Sequence, residues 1–425
     1  MHNENSDIQP EVLAPAGNLA TLKTAIDFGA DAVYCGGQEF GMRSAPKNFT
    51  LADFEEAVEY AHARDARVYV TCNILPRNSE VTSMNAYMGE LAQIGVDALI
   101  VSDIGVLMAA REVAPNTEIH ISTQAGVTNY QAANALHQLG ASRVVLAREL
   151  DLQAIRDIRA NVAPELEIEA FVHGSMCMAF SGRCLISQHA TGRDANHGDC
   201  IQACRWKYHV VEERKPGEFI PVEVTGDGTF IFSSEDMNLI EHVDDVLDAG
   251  VTSLKIEGRA KGAYYVAAMA NAYKTAVGLY QRQRAAEREA GAERQPVVIP
   301  DWLAQEPLKV THREYSTGFY YPEKPASESI QKGAYINDWR WIGTVISYDG
   351  AEQRVRLLSK NKIAPGMEIE FLVPGGVAPI VYTVPDSGIL DGEGSPVAEI
   401  NNPAHEFSLP IAVELPAGAM IRARA

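Results

Sequence analysis

From Glu11 to Arg259, short β-branched runs alternate with stretches of ten to fifteen residues in which apolar positions recur every three or four. That alternation predicts βα units feeding a parallel sheet. The strands are expected at Glu11 to Pro15, Ala32 to Gly36, Arg67 to Asn73, Ala98 to Asp103, Glu118 to Gln124, Arg143 to Glu149, Glu167 to Ser175 and Ser253 to Arg259. The intervening helices carry a single apolar stripe, as in Leu51, Phe54, Ala57, Val58 and Ala61. Gly29, Gly95, Gly140 and Gly250 fall where helices should stop. Eight such strands predict an α/β chain with a (β/α)8 TIM-like barrel. A cysteine-rich insertion delays the last strand, followed by an expected hairpin from Tyr208 to Phe232 and a helix from about Asn238.

A long helix is predicted from about Tyr264 to Arg294, after which Pro296, Pro300 and Pro307 break the pattern. Beyond Tyr335 the period changes to two. Runs at Trp341 to Ser347, Arg354 to Leu358, Glu368 to Val373, Ile380 to Val384 and Ala419 to Arg424, separated by Asp-Gly, Pro-Gly and Gly-Gly turns, predict a small β-barrel or sandwich. The expected division is a barrel over 1–290, a linker over 291–334 and a small β-barrel over 335–425. A chain of 425 residues can bury a core in each.

In a barrel of this kind chemistry belongs at the carboxyl ends of the strands. Strand alternation puts Tyr69, Thr71 and Asn73 on one face, with His120, Ser122 and Gln124, then Glu169, Phe171, His173 and Ser175, then Lys255, Glu257 and Arg259. Polar groups facing a barrel interior cost stability unless they pair with one another or bind something. The set therefore predicts a ligand pocket, although Glu169 and Glu257 could be taken up by Lys255 or an interior arginine.

Composition adds a second focus. Four of the six cysteines, Cys177, Cys184, Cys200 and Cys204, crowd into one stretch, with gaps of six, fifteen and three residues. Thiols serving only as small hydrophobes need no such clustering. Zinc usually takes pairs two to four apart, which only Cys200 and Cys204 satisfy, with His189 and His197 as further candidate ligands. An iron–sulfur cluster also takes four thiolates. Cys35 and Cys72 lie on predicted strands and read as core thiols.

The polar start MHNENSDIQP and the lack of a membrane-length apolar run lead us to expect a cytoplasmic protein with no membrane partner. There, clustered thiols are ligands more often than disulfides. A net charge of -20 disfavours nucleic acid as a partner, except through a local patch such as Arg183, Arg193, Arg205, Lys207, Arg214 and Lys215.

The run Glu169-Ala-Phe171-Val-His173-Gly174-Ser175-Met176-Cys177, followed by Gly182-Arg-Cys184-Leu-Ile186-Ser187, resembles the signature of peptidase family U32. Leu13-Ala-Pro-Ala-Gly17, Gly36-Gly37, Lys255-Ile-Glu257-Gly-Arg259 and Arg313-Glu-Tyr-Ser-Thr-Gly318 extend the likeness. The resemblance implies a prephenate-dependent hydroxylase of tRNA that converts wobble uridine (U34) in the anticodon region to 5-hydroxyuridine. It also implies a [4Fe-4S] cluster on Cys177, Cys184, Cys200 and Cys204, in segment 169–205. A collagenase-like peptidase and the family's rRNA and ubiquinone hydroxylases are the alternatives. A peptidase would need an activated nucleophile, and the chain has neither HExxH nor GxSxG. Prephenate carries two carboxylates, which suit Arg and Lys. On this reading His173, Glu169, Lys255 and Glu257 are the catalytic candidates. Arg43, Asn73, Gln124, Arg148 and Arg259 are the candidates for binding substrate.

Overall fold

The computed structural model describes residues 9–41, 48–177, 184, 186–195, 200–206, 210–211, 219–220, 235–323 and 335–425. Eight parallel strands close into a barrel: β1 (Glu11–Pro15), β2 (Ala32–Gly36), β3 (Arg67–Cys72), β4 (Ala98–Val101), β5 (Glu118–Ile121), β6 (Arg143–Val145), β7 (Glu167–Ser175) and β8 (Ser253–Ile256). Each pairs with its neighbour in order, and β8 closes the ring by pairing with both β7 and β1. Alternation divides the side chains between two cores. Val12, Val33, Val68, Val70, Leu99 and Leu254 face the surrounding helices, whereas Leu13, Ala32, Tyr34, Tyr69, Ala98 and Ile100 form a separate cluster inside the barrel.

The helices start where chemistry tells them to. Asn18, Thr50, Asp103, Asn129 and Asp151 each accept a backbone N–H from the first turn of the helix that follows. Those helices are α1 (Leu19–Asp27), α2 (Leu51–His62), α4 (Ile104–Val113), α5 (Tyr130–Gln138) and α6 (Leu152–Asn161), with α3 (Val81–Ile94) between β3 and β4.

Two short strands outside the barrel are not visible in the sequence pattern. β7 runs past the barrel rim, and its last three residues pair antiparallel with a three-residue strand, Asp236–Asn238. The even shorter Tyr315–Ser316 then pairs parallel with that strand. Elements this short carry no legible period. The expected hairpin survives as the antiparallel pair Val210–Val211 and Phe219–Ile220, and the rest of 208–232 lies outside the described residues. The expected helix begins at Val243, as Val243–Asp248.

The stretch read as a linker, 291–334, is barrel material in its described part. Leu303, Val310 and Tyr320 belong to the main core. The Tyr320 hydroxyl donates to the Phe171 carbonyl at 2.7 Å, and Arg313 forms a buried ion pair with Asp236 at 2.7 Å. The helix ends at Ala290, capped by Gly291 in the left-handed region, and the prolines that follow do not end the domain.

The long helix Ala263–Ala290 is buried around much of its first half, from Tyr264 to Val277. The reason is a second neighbour. Residues 339–424 form a seven-stranded antiparallel sheet curled into a half-barrel, with its own core around Val355, Leu357, Phe371, Phe407 and Ile421. Its Leu372 and Met420 join the core of the main domain. At this junction the fully buried Arg422 donates to both carboxylate oxygens of Glu306, at 2.6 and 2.7 Å, and to Glu370 at 2.8 Å.

Candidate functional site

Charged side chains fill the lower half of the barrel. Arg143 is the hub. Its guanidinium donates to Glu11 at 2.6 Å, to Glu167 at 2.6 Å and to Glu169 at 3.2 Å. Glu11 also accepts from the Tyr69 hydroxyl at 2.6 Å, the Ser253 hydroxyl at 2.7 Å and the Arg67 guanidinium. Glu169 accepts in turn from the Lys255 ammonium. Burial alone would raise the pKa of Glu11, but the charge and hydrogen bond of Arg143, helped by Arg67, hold it down to about 2. Burial also works to raise Glu169, and Lys255 and Arg143 outweigh it, so that carboxyl is lowered as well. Glu169 is thus a fully buried anion neutralised by two cations.

Above this layer the carboxyl ends of the strands open into a polar mouth. Lys255 sits 4.4 Å from the centre of the Tyr34 ring. Arg148 stacks 3.8 Å over Phe171 and donates to the Ser175 carbonyl at 3.0 Å and to Glu257 at 3.1 Å. Its Nε is buried and has no hydrogen-bond partner among the described residues. Arg259 reaches across to Thr71 at 2.9 Å. It can do so because residue 36 is glycine: a Cβ there would lie 2.3 Å from the Arg259 guanidinium. The same economy operates at Gly17, where a Cβ would meet the Arg259 carbonyl at 2.4 Å. Asn73 donates to Ser122 at 3.3 Å, and Ser102 donates to Gln124 at 3.1 Å.

The structure brings Asn73, Gln124, Arg148, Lys255, Glu257 and Arg259 to one end of the barrel, with Gln124 on a 3-10 turn just past β5 rather than on the strand itself. Arg43 lies outside the described residues. His173 is different. Alternation put it on the face of Glu169, but an irregularity in β7 opposite Lys255 and Ile256 pairs it with Ile256, a residue of the outer core. Its ring is almost wholly buried, with Nδ1 3.2 Å from the Tyr273 hydroxyl and Nε2 3.4 Å from that of Tyr315. Burial lowers its pKa to about 3, so it is neutral and held by tyrosines rather than turned to the barrel interior. The hub Arg143 and its partner Glu11 escaped the sequence reading, which treated both as strand starts. The available signal was a charged residue at an inward position of a parallel strand.

The clustered cysteines contrast with the other two. Cys35 and Cys72 are fully buried, and burial pushes both thiols up to about 12, as suits inert core groups. Cys177 and Cys200 are exposed, Cys184 and Cys204 partly so, and none is in a disulfide. Cys177 lies two residues beyond Ser175, whose carbonyl Arg148 holds. The helix Ile186–Thr191 packs on the short turn Ala203–Arg205, with Ser187 bonded to the Ile201 N–H at 3.3 Å and 4.0 Å from the Cys200 sulfur. Four thiols outside any disulfide are the donor type that an iron–sulfur cluster takes. Among the described residues, no three His, Cys, Asp or Glu side chains converge on one metal position. His197 and the side chain of His189 lie outside those residues.

No helix among the described residues is long and apolar enough to cross a membrane. A sequence model of peptidase family U32 matches residues 17–330, and one of the family's C-terminal domain matches 337–422. The chain is 38% identical over 371 residues to tRNA hydroxylation protein P1 of Bacillus subtilis (strain 168), covering 86% of this chain and 84% of that one. It is 32% identical over 431 residues to tRNA hydroxylation protein P of Escherichia coli (strain K12), covering 92% and 91%. A 256-residue match at 41% identity links 60% of the chain to 37% of the 23S rRNA 5-hydroxycytidine C2501 synthase of the same organism.

Proposed function

The chain belongs to peptidase family U32, and on that premise we propose that it hydroxylates RNA, acting on tRNA to convert wobble uridine to 5-hydroxyuridine. The observation that carries this reading is the likeness, across both domains and up to 92% of the chain, to proteins named for tRNA hydroxylation. The barrel mouth supports it, because Arg148, Lys255 and Arg259 suit an anionic ligand. Prephenate, a dicarboxylate, is the proposed co-substrate and oxygen source. Cys177, Cys184, Cys200 and Cys204 would hold a [4Fe-4S] cluster, which with four thiolate ligands supplies one-electron redox capacity or structural support rather than an open iron site. Hydrolysis gains no support from His173 and Ser175, since both ring nitrogens of His173 are engaged by tyrosines.

Deleting the gene and digesting bulk tRNA for nucleoside mass spectrometry should show 5-hydroxyuridine lost and restored by the wild-type chain. Intact tRNA with hydroxycytidine missing from rRNA would transfer the activity to rRNA. No change in either RNA would overturn the reading.

The mouth can be tested separately. Arg148→Ala and Arg259→Ala should each lower product by roughly 10- to 100-fold, the value of a hydrogen bond to a charged group, with iron content unchanged. Gly36→Ala should follow Arg259→Ala, because the new methyl displaces that guanidinium. Full turnover in all three would remove the mouth from substrate binding.

A further inference from the structure

Beside the mouth runs a second cavity of about 550 Å3, between the start of the helix Ala263–Ala290 and the half-barrel. Lys261, Tyr265, Trp339, Arg340, Trp341 and Lys360 line it, and among the described residues neither an aspartate nor a glutamate does. In a chain of net charge -20, a concave surface whose described lining holds three cations and no carboxylate is a local reversal of sign. Its aromatic and cationic groups are interleaved. Lys261 lies 5.0 Å from the Tyr265 ring centre and 4.9 Å from that of Tyr335, and Lys360 lies 5.1 Å from that of Trp341. The Trp341 indole N–H is already committed to the Gly343 carbonyl at 2.8 Å, which holds the ring in place. Its lining is tied to residues of the mouth. Lys261 follows Arg259 by two residues, and the Tyr265 hydroxyl donates to the Glu257 carbonyl at 2.9 Å.

We propose that this cleft binds a single-stranded stretch of the RNA substrate next to the nucleotide being modified, with bases against Trp341 and its neighbours and phosphates on Lys261, Arg340 and Lys360. The inference rests on the RNA-hydroxylase reading above. Single-stranded RNA fits this chemistry because unstacked bases offer faces to aromatic rings while a flexible backbone tracks cations. A duplex hides its base faces. The cleft also gives the half-barrel a task, since it contributes Trp339, Arg340, Trp341, Lys360 and Asn361 to a surface whose other wall is the barrel domain.

The test uses the full-length protein and an unmodified, in vitro transcribed tRNA, with fluorescence anisotropy over a range of salt. Arg340 and Lys360 are both exposed, so the double variant Arg340→Glu/Lys360→Glu should fold normally, which a melting curve checks. Its affinity should fall at least about 10-fold and its salt slope by about two, one per lost phosphate contact. Trp341→Leu should weaken binding with the slope unchanged, the mark of lost stacking. Binding by the double variant within twofold of wild type at the same slope would overturn the proposal. So would displacement of the tRNA by a duplex RNA as effectively as by a single strand. The two readings fail differently. If the deletion strain keeps its hydroxylated nucleosides, the enzymatic reading falls. If the deletion strain loses them and the double variant both restores them fully and binds tRNA normally, only the cleft does.

Discussion

Replacing Cys200 with serine is expected to abolish 5-hydroxyuridine formation and to bleach the protein. The exchange alters one atom on an exposed side chain, so the fold has little reason to change. It removes a soft thiolate, and a serine hydroxyl is a poor ligand for an iron–sulfur cluster. Protein purified without oxygen should carry about four irons per chain in the wild type. It should carry far fewer after Cys177→Ser, Cys184→Ser, Cys200→Ser or Cys204→Ser, with the visible absorbance falling in step. Cys35→Ser is the control. That thiol is fully buried against the helices, so the hydroxyl costs stability while iron content stays the same. Full iron and full product in the four serine variants would remove the cluster from the reading. A colourless wild-type protein holding one zinc would revive a hydrolytic function.

The second large effect is on stability. Arg143→Met should destabilise the chain by about 3–5 kcal/mol at pH 7, because it leaves Glu11 and Glu169 as buried carboxylates short of a cation. The loss should depend on pH in a defined direction. In the wild type Glu11 is depressed from 4.5 to about 2, so its contribution is fully present above pH 4.5 and is lost as the pH falls through about 2. Without Arg143 burial dominates and raises the same carboxyl, which then takes up a proton on folding. The gap between variant and wild type should therefore narrow as the pH drops from 7 toward 4, in denaturant melts at each pH. A gap below about 1 kcal/mol at pH 7 would mean that the network adds little to the fold.

How far the sequence reaches can be seen strand by strand. β1, β2 and β7 begin and end at the residues their patterning indicated, since apolar runs between Gly and polar turns set both limits. Strands β4, β5 and β6 stop two to four residues early, at Val101, Ile121 and Val145. Beyond those points the chain turns away from the barrel to form the mouth, through the 3-10 turn Thr123–Ala125 after β5, and side-chain type does not mark where pairing ceases. The strands Leu390–Asp391 and Glu406–Pro410 are not among those predicted: the first is too short to show a period, whereas in the second the buried Phe407 and Leu409 do alternate with more exposed neighbours.

By itself the amino-acid sequence determined the βα repeat, the half-barrel's period of two, the thiol cluster and the collection of polar residues at strand ends. Each of these is written in local spacing. Tertiary structure alone decided which charge meets which. Arg143 joins Glu11, 132 residues away, and Arg259 meets Thr71 188 residues away. It also turned His173 outward through one irregularity in β7, and it set Lys261 opposite Trp339 and Lys360 across the domain junction. Spacing along a chain specifies the face of an element, but only barrel closure and domain docking determine what that face confronts.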